Sequence, residues 1–353
     1  MAGRTVTLRR RAALAAATAA TLAIALAGCG GDSKEVTPQA TADSSGKLAQ
    51  LTPVKITMAG KFGSVAPVLT ESTYGEFKKL NIDIQTEIVK SSDAMVLLAK
   101  GEIDAIFTGP SAGLYNAVKG GNEIKIAVPG SYQPPNNKGG WWVSKKALGG
   151  QEYSPALLKG KTLASAQGAV GASVLGLSQE LAKANLKVTD VEIKTLGSAD
   201  IATAVINGAV FGGVLTQPFN VAVEQADAGF RFATGAPDSY PNTIILFGPS
   251  MLKDPAKANA FVAGFLATTR NHYQGDYVND PQRGPVLAKA LDLTWEQLKD
   301  VPADIWPTDP KFPTGYIKAY EDVWRQVPGT LSYEGAIDES AILDLSYLQN
   351  APK

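Results

Sequence analysis

One pattern occurs twice in this chain, and it dictates the fold class. The segment TMAGKFGSVAPVL (residues 57–69) lies over TLASAQGAVGASVL (162–175) at an offset of 105, and SDAMVLLAKGEIDAIF (92–107) lies over ADIATAVINGAVFGGV (199–214) at 107. Thr57, Ala59, Gly63 and Val65 match Thr162, Ala164, Gly168 and Val170; Asp93 and Gly101 match Asp200 and Gly208. Each copy predicts a strand (VKITMA; KTLASA), a glycine-rich turn and a helix. A second strand (IDIQTEIV; VEIKTL) follows, then an Asp-started helix stopped by glycine, then a third strand (IDAIFT; AVFGGVL). Strands alternating with helices make βαβ units and parallel sheets covered on both faces. Asp93 and Asp200 are expected as helix N-caps, and Gly101 and Gly208 in the left-handed position past the helix end.

The expected fold is therefore α/β, with two similar lobes joined by a two-strand hinge around a ligand cleft. Each lobe is a mostly parallel sheet flanked by helices. Residues 52–138 plus 241–353 make lobe 1 and 139–240 make lobe 2. The apolar stretches Gly139-Gly140-Trp141-Trp142-Val143-Ser144 and Asn242 to Gly248 read as the crossing strands, and the helical tail beyond Phe247 should return to cover lobe 1. In open α/β sheets, ligands sit beyond the carboxyl ends of the strands. Four loops fall there: Lys61-Phe62-Gly63-Ser64, Thr108-Gly109-Pro110-Ser111, Gln167 to Ser173, and Thr216-Gln217-Pro218-Phe219. They are rich in uncharged hydrogen-bonding groups and run into helix starts, where free backbone N–H groups favour an anion or polar head group. The candidate ligand-binding residues are Phe62, Ser64, Thr108, Gly109, Ser111, Gln167, Val170, Ser173, Thr216 and Gln217. Trp141 joins them because Trp141 and Trp142 point to opposite sheet faces, so one of the two can reach the cleft. Trp295, Trp306 and Trp324 are expected to pack.

The N-terminus sets the expected compartment. Arg4, Arg9, Arg10 and Arg11 precede an uncharged run from Ala12 to Ala27, 16 residues and short for a membrane span. Leu26-Ala27-Gly28-Cys29 resembles the lipobox of bacterial lipoproteins, which implies cleavage before Cys29 and acylation of its thiol. Residues 1–28 are then a signal peptide. Residues 29–51, poor in apolar side chains, read as a flexible tether spanning roughly 25 Å. Removing the signal leaves 29 basic and 33 acidic residues, a formal charge of −4. That disfavours a nucleic-acid partner, which needs a basic face.

Cys29 is the only cysteine and His272 the only histidine. Cysteine or histidine metal sites and a Ser-His dyad are thereby disfavoured, and His272 reads as a solvated helix-end residue. Gly168 to Gly171 lacks the spacing of a dinucleotide fingerprint, and no Walker lysine is present. No cofactor is expected.

From residue 54 to about 345, the arrangement resembles the solute-binding proteins of bacterial ABC importers, in the nitrate, sulfonate, taurine and thiamine-precursor branch. The glycine-stopped helix, the Ile103-Asp104-Ala105 strand and the Thr108-Gly109-Pro110 turn carry the resemblance most specifically. It implies a monomeric, hinge-closing binder without catalytic activity, anchored outside the cell membrane and partnered with a permease and its ATPase. Members of the family often end the second-lobe strand with Trp, an acid, Pro and an aromatic. Here Leu215-Thr216-Gln217-Pro218-Phe219 has neither the tryptophan nor the acid. That favours an anionic or neutral ligand over an amine-bearing one. An aromatic or pyrimidine-type ligand, a non-transport signalling lipoprotein, and an enzyme on a similar scaffold are the competing readings.

Overall fold

The computed structural model describes residues 39–134, 137–217, 219–299 and 301–351. Cys29 and the signal segment lie outside the described residues. Ten strands form two five-stranded sheets. They are β1 (Thr52–Met58), β2 (Ile82–Ile88), β3 (Ala105–Thr108), β4 (Lys125–Pro129), β5 (Gly140–Ser144), β6 (Thr162–Ser165), β7 (Glu192–Thr195), β8 (Gly212–Leu215), β9 (Gly229–Ala233) and β10 (Ile244–Phe247). The first sheet runs β2-β1-β3-β10-β4 and the second β7-β6-β8-β5-β9. In each sheet three successive strands pair in parallel, and the fourth position is held by one antiparallel strand, β10 or β5. The molecule is a two-lobed α/β protein whose halves share one topology.

Register sharpens the repeat. Ile56 pairs with Ala105 and Leu163 with Gly212, and both partners of the second pair lie 107 residues after those of the first. Ile56 pairs with Thr86 and Leu163 with Ile193 at the same displacement. The offset is thus 107 from the first strand onward. The alignment of Thr57 on Thr162 is two residues out, because small residues in the turns matched by chance.

Six helices bear on the site: α1 (Ser91–Lys100), α2 (Ala112–Lys119), α3 (Val174–Ala182), α4 (Ser198–Asn207), α5 (Pro255–His272) and α6 (Tyr316–Arg325). Gly101 and Gly208 end α1 and α4 at φ 73° and 70°, the left-handed region glycine enters without penalty. Asp93 and Asp200 are not the N-caps. Lys90 and Gly197 hold those positions, and each aspartate sits at the third helical residue, where its charge still favours the helix dipole. Asp104, before β3, accepts from the Lys55 backbone at 2.8 Å and pairs with Lys257 of α5 at 2.7 Å. The Gly-x-Ile-Asp-Ala segment therefore ties sheet to helix.

Two expectations are corrected. Most of the two stretches read as crossing strands is β5 and β10, each fully buried and held between two neighbours, and only Asn242 and Thr243 at the start of the second lie at the crossing. A continuous apolar run suits an interior strand as well as a crossing one. The chain crosses instead beside Gly130–Tyr132 and Pro241–Thr243. There Gly130 N–H donates to Thr243 O at 2.7 Å and Asn242 N–H to Ser131 O at 2.9 Å. A third segment joins them at one bridge, since Tyr132 and Ile305 exchange both backbone hydrogen bonds, at 2.9 and 2.8 Å. The tether also ends sooner than residue 51. Leu48 is 2 % exposed in the first-lobe core, its N–H donates to Leu80 O at 3.1 Å, and Ala40 N–H donates to Asp254 at 2.9 Å.

The tail does more than cover lobe 1. Helix α5 packs on the first sheet through Phe261 and Phe265. Helix α6 buries Tyr316, Ile317, Tyr320, Val323 and Trp324, the spacing of one helical face, against both α2 and α3. One apolar cluster thereby runs from Leu98, Ile106 and Leu114 through α6 to Trp141, Leu163 and Leu177. Among the described residues, no helix is long and apolar enough to cross a membrane.

Candidate functional site

The loops that follow β3 and β6 meet. Ser111 and Gly171 pair as an isolated antiparallel bridge, so a turn of each sheet touches the other. Trp324 Nε1 donates to Gly171 O at 3.4 Å from below. On the first-lobe side, half-buried Thr108 donates from its hydroxyl to Gly109 O at 3.2 Å, and Ser111 Oγ caps α2 by accepting from Leu114 N–H at 3.4 Å. Both hydroxyls serve the turn locally, and Ser111 keeps its proton for a further acceptor. Across from them, Ser173 starts α3 with helical backbone angles, and its hydroxyl makes no capping bond. Gln167 is exposed, and its side chain folds over Gly171, where a Cβ would sit 2.6 Å from its Oε1. Val170 is 46 % exposed.

The other two loops lie after β1 and β8. Phe62 is 58 % exposed and half-buried Ser64 lies in a single 3-10 turn, residues Gly63–Val65. Exposed Thr216 accepts from Phe219 N–H at 2.8 Å with its carbonyl, and Gln217 is half-buried and engaged. Trp141 stands behind the wall. It is 0 % exposed, and its indole donates to Ser173 O at 2.7 Å, which holds the start of α3 in place. Trp142 is buried on the opposite face among Ala164, Ile201 and Val205. His272 does end a helix, but it stacks on Tyr74 at 3.8 Å and hydrogen-bonds Glu76 at 3.0 Å, so it is packed and partnered.

Sequence reasoning missed a carboxyl group. Asp304, in the return segment after α5, lies against the first-lobe loop, with Oδ2 2.9 Å from where a Cβ on Gly63 would stand. The Asn242 side chain lies beside this carboxyl and favours its charged form. Because Asn242 Oδ1 accepts from Ser131 Oγ at 2.7 Å, its amide nitrogen is the end that faces Asp304. Asn242 lies two residues before Ile244, which pairs with the ends of β3 and β4 at Thr108 and Pro129, and its carbonyl lies 3.5 Å from the Cβ direction of Gly109. Asp304 therefore sits beyond the carboxyl ends of the first sheet, where ligands bind in such folds. The residue keeps some surface within reach of solvent, yet the protein packed around its carboxyl desolvates it and pushes it up to about 7, with Asn242 pulling partly back. The only visible cue is one acid in Val301-Pro302-Ala303-Asp304-Ile305-Trp306, an otherwise apolar stretch. Among the described residues no cluster of His, Cys, Asp and Glu could hold a metal.

Two lobes of matched topology, chain crossings that meet at Tyr132 and rim loops that touch at Ser111 and Gly171 define the class: a two-lobed α/β fold. No protein-family model and no curated protein matches this sequence. Solved structures do. The chain is similar to the periplasmic aliphatic sulphonate binding protein SsuA from Escherichia coli, at 21 % identity and TM-score 0.57, over 79 % of this chain and 94 % of that one. It is similar to the periplasmic nitrate-binding protein NrtA from Synechocystis PCC 6803, at 12 % identity and TM-score 0.60, over 85 % and 88 %. The chain thus shares its fold with both of these periplasmic binding proteins. The desulfurization enzyme DSZB shares it too, at 12 % identity and TM-score 0.54, over 84 % and 98 %.

Proposed function

We propose that this chain is the lipid-anchored solute-binding component of an ABC importer. It captures a small organic or inorganic anion between its lobes and delivers it to a permease. The observation that carries the reading is the meeting of the β3 and β6 loops at Ser111 and Gly171, with the uncommitted Ser173 hydroxyl at the start of α3 beside them. Neutral donors and a helix N-terminus suit an oxyanion without neutralising it. Catalysis is not part of the proposal, because the rim offers no histidine or thiol to act as base or nucleophile.

A thermal-shift screen of sulfonates, nitrate, bicarbonate, pyrimidines and aromatic acids tests the ligand class, since a ligand that binds only the folded state raises its stability. Stabilisation by uncharged pyrimidines alone would replace the anion by a neutral ring, and turnover of a bound compound would revive the enzyme. Within that frame, Ser173→Ala should weaken binding about 10- to 150-fold, the worth of a hydrogen bond to a charged acceptor. Its stability should stay within about 0.5 kcal/mol, because no cap is lost. Thr108→Ala should cost less affinity, since that hydroxyl proton already goes to Gly109 O. Titration calorimetry and denaturant melts on both variants decide; unchanged affinity in Ser173→Ala removes it from the site.

Anchoring rests on Cys29. Cys29→Ala should shift the protein out of the detergent-extractable membrane fraction. Continued membrane partition of that variant would exclude the thioether anchor.

A further inference from the structure

We propose that Asp304 is a ligand-recognising residue: its carboxyl takes a nitrogen donor of the ligand, so the solute is an organic acid that also bears an ammonium, amidinium or ring N–H group. The inference rests on the anion reading above and narrows its substrate class. The neutral loops hold the oxyanion end; Asp304 holds the other.

Position carries the argument. Two segments distant in sequence converge on this carboxyl, Gly63 after β1 and Asn242 at the crossing, and its own segment is fixed there by the pairing of Ile305 with Tyr132. All lie at the carboxyl edge of the first sheet. Loop Lys61–Ser64 approaches so closely that only glycine fits at 63 without displacing the carboxyl. Its one cation, Lys61, is already held by Asp292 at 2.7 Å. The Tyr277 hydroxyl, from below, donates at 2.8 Å to the Asp304 backbone carbonyl, not to the carboxyl. The one side chain that favours the charged form of Asp304 is the neutral amide of Asn242, and no cation among the described residues does so. A desolvated carboxyl in that state destabilises the fold, and a ligand donor relieves the cost on binding. Acid recognition, absent from the loop after β8, is in this way supplied from the tail.

A purely structural Asp304 would pin the hinge through Asn242 and lose stability when neutralised. The two roles separate by experiment. The probes are matched pairs: 3-aminopropanesulfonate with propanesulfonate, and 3-aminopropanoate with propanoate. On the wild type at pH 8, the amino member of at least one pair should bind about 10-fold or more tighter than its partner, as expected for a charge-assisted bond. Asp304→Asn should erase that preference and leave the plain acid within about 2-fold of wild type. Its melting temperature should equal or exceed that of the wild type at pH 8. The folded carboxyl titrates near 7 against 3.8 for the free group, so its favourable contribution is complete at low pH and lost as pH rises through 7. The gap should close as pH falls toward 4. Gly63→Ala, which puts a methyl 2.9 Å from Oδ2, should reduce the amine preference without touching the charge. Members of a pair binding the wild type equally, or a preference that survives Asp304→Asn, would overturn this inference alone. Lower stability of Asp304→Asn at pH 8 with the preference intact assigns the hinge-pinning role instead. Binding of no member of either pair would overturn it together with the anion reading.

Discussion

Trp324→Ala should cost about 3–5 kcal/mol of folding stability, the range for emptying a large aromatic site from a core. Trp324 is 0 % exposed, stacks on Tyr320 at 5.3 Å and meets Tyr115 of α2 edge-on at 5.0 Å. Its indole also holds the carbonyl of Gly171, the residue that bridges to Ser111. One side chain thus joins the core of the first lobe, helix α6 and a rim loop of the second. The variant should melt at markedly lower denaturant and also bind any stabilising solute more weakly, because the 167–173 loop loses its floor. Trp324→Phe keeps most of the apolar contact and forfeits the hydrogen bond, so about 1 kcal/mol is expected there. A loss below about 1 kcal/mol in the alanine variant would show that the lobes are held together elsewhere.

Gly176→Ala puts two arguments of opposite sign against each other. Glycine is the third residue of α3, where helix propensity alone favours alanine by up to about 1 kcal/mol. A Cβ there would stand 1.9 Å from Thr234 O and 2.8 Å from the Gly235 carbonyl carbon, both backbone atoms that cannot swing aside. Gly176 N–H also donates to Gly235 O at 2.9 Å, tying the helix to the chain that leaves β9. The clash should win, with a net loss of about 3 kcal/mol or more, as overpacking against rigid neighbours costs. Ser173 lies one turn upstream and packs on Gly235, whose Cβ direction meets Ser173 at 3.7 Å. Lifting α3 therefore displaces its hydroxyl, and solute affinity should fall with stability. An alanine variant as stable as the wild type, measured by denaturant midpoint, would mean that α3 can move off residues 234–235 at no cost.

Much of the architecture was legible along the chain. The repeat predicted two βαβ-built lobes, and Gly101 and Gly208 end matching helices where left-handed backbone is needed. These are local matters: strand and helix periods, caps and turns are written in neighbouring residues. The rim was legible only in part. Thr108, Ser111 and Ser173 lie at strand ends and helix starts as expected, but that Ser111 meets Gly171 while Trp141 stands behind Ser173 depends on how the two sheets pack. The apolar runs of β5 and β10 showed burial without showing which neighbours bury them, so the crossing was extended into those strands and missed Gly130 to Tyr132. Asp304 was the least visible of all. Its environment is made by Gly63, Asn242 and Ile305, and the first two lie far from it along the chain. By itself the sequence determined which residues can be strand, helix, cap or turn. Which solvent-averse group ends up beside an unneutralised carboxyl was decided only by long-range closure, because desolvation depends on everything packed around a group and not on its neighbours in the chain.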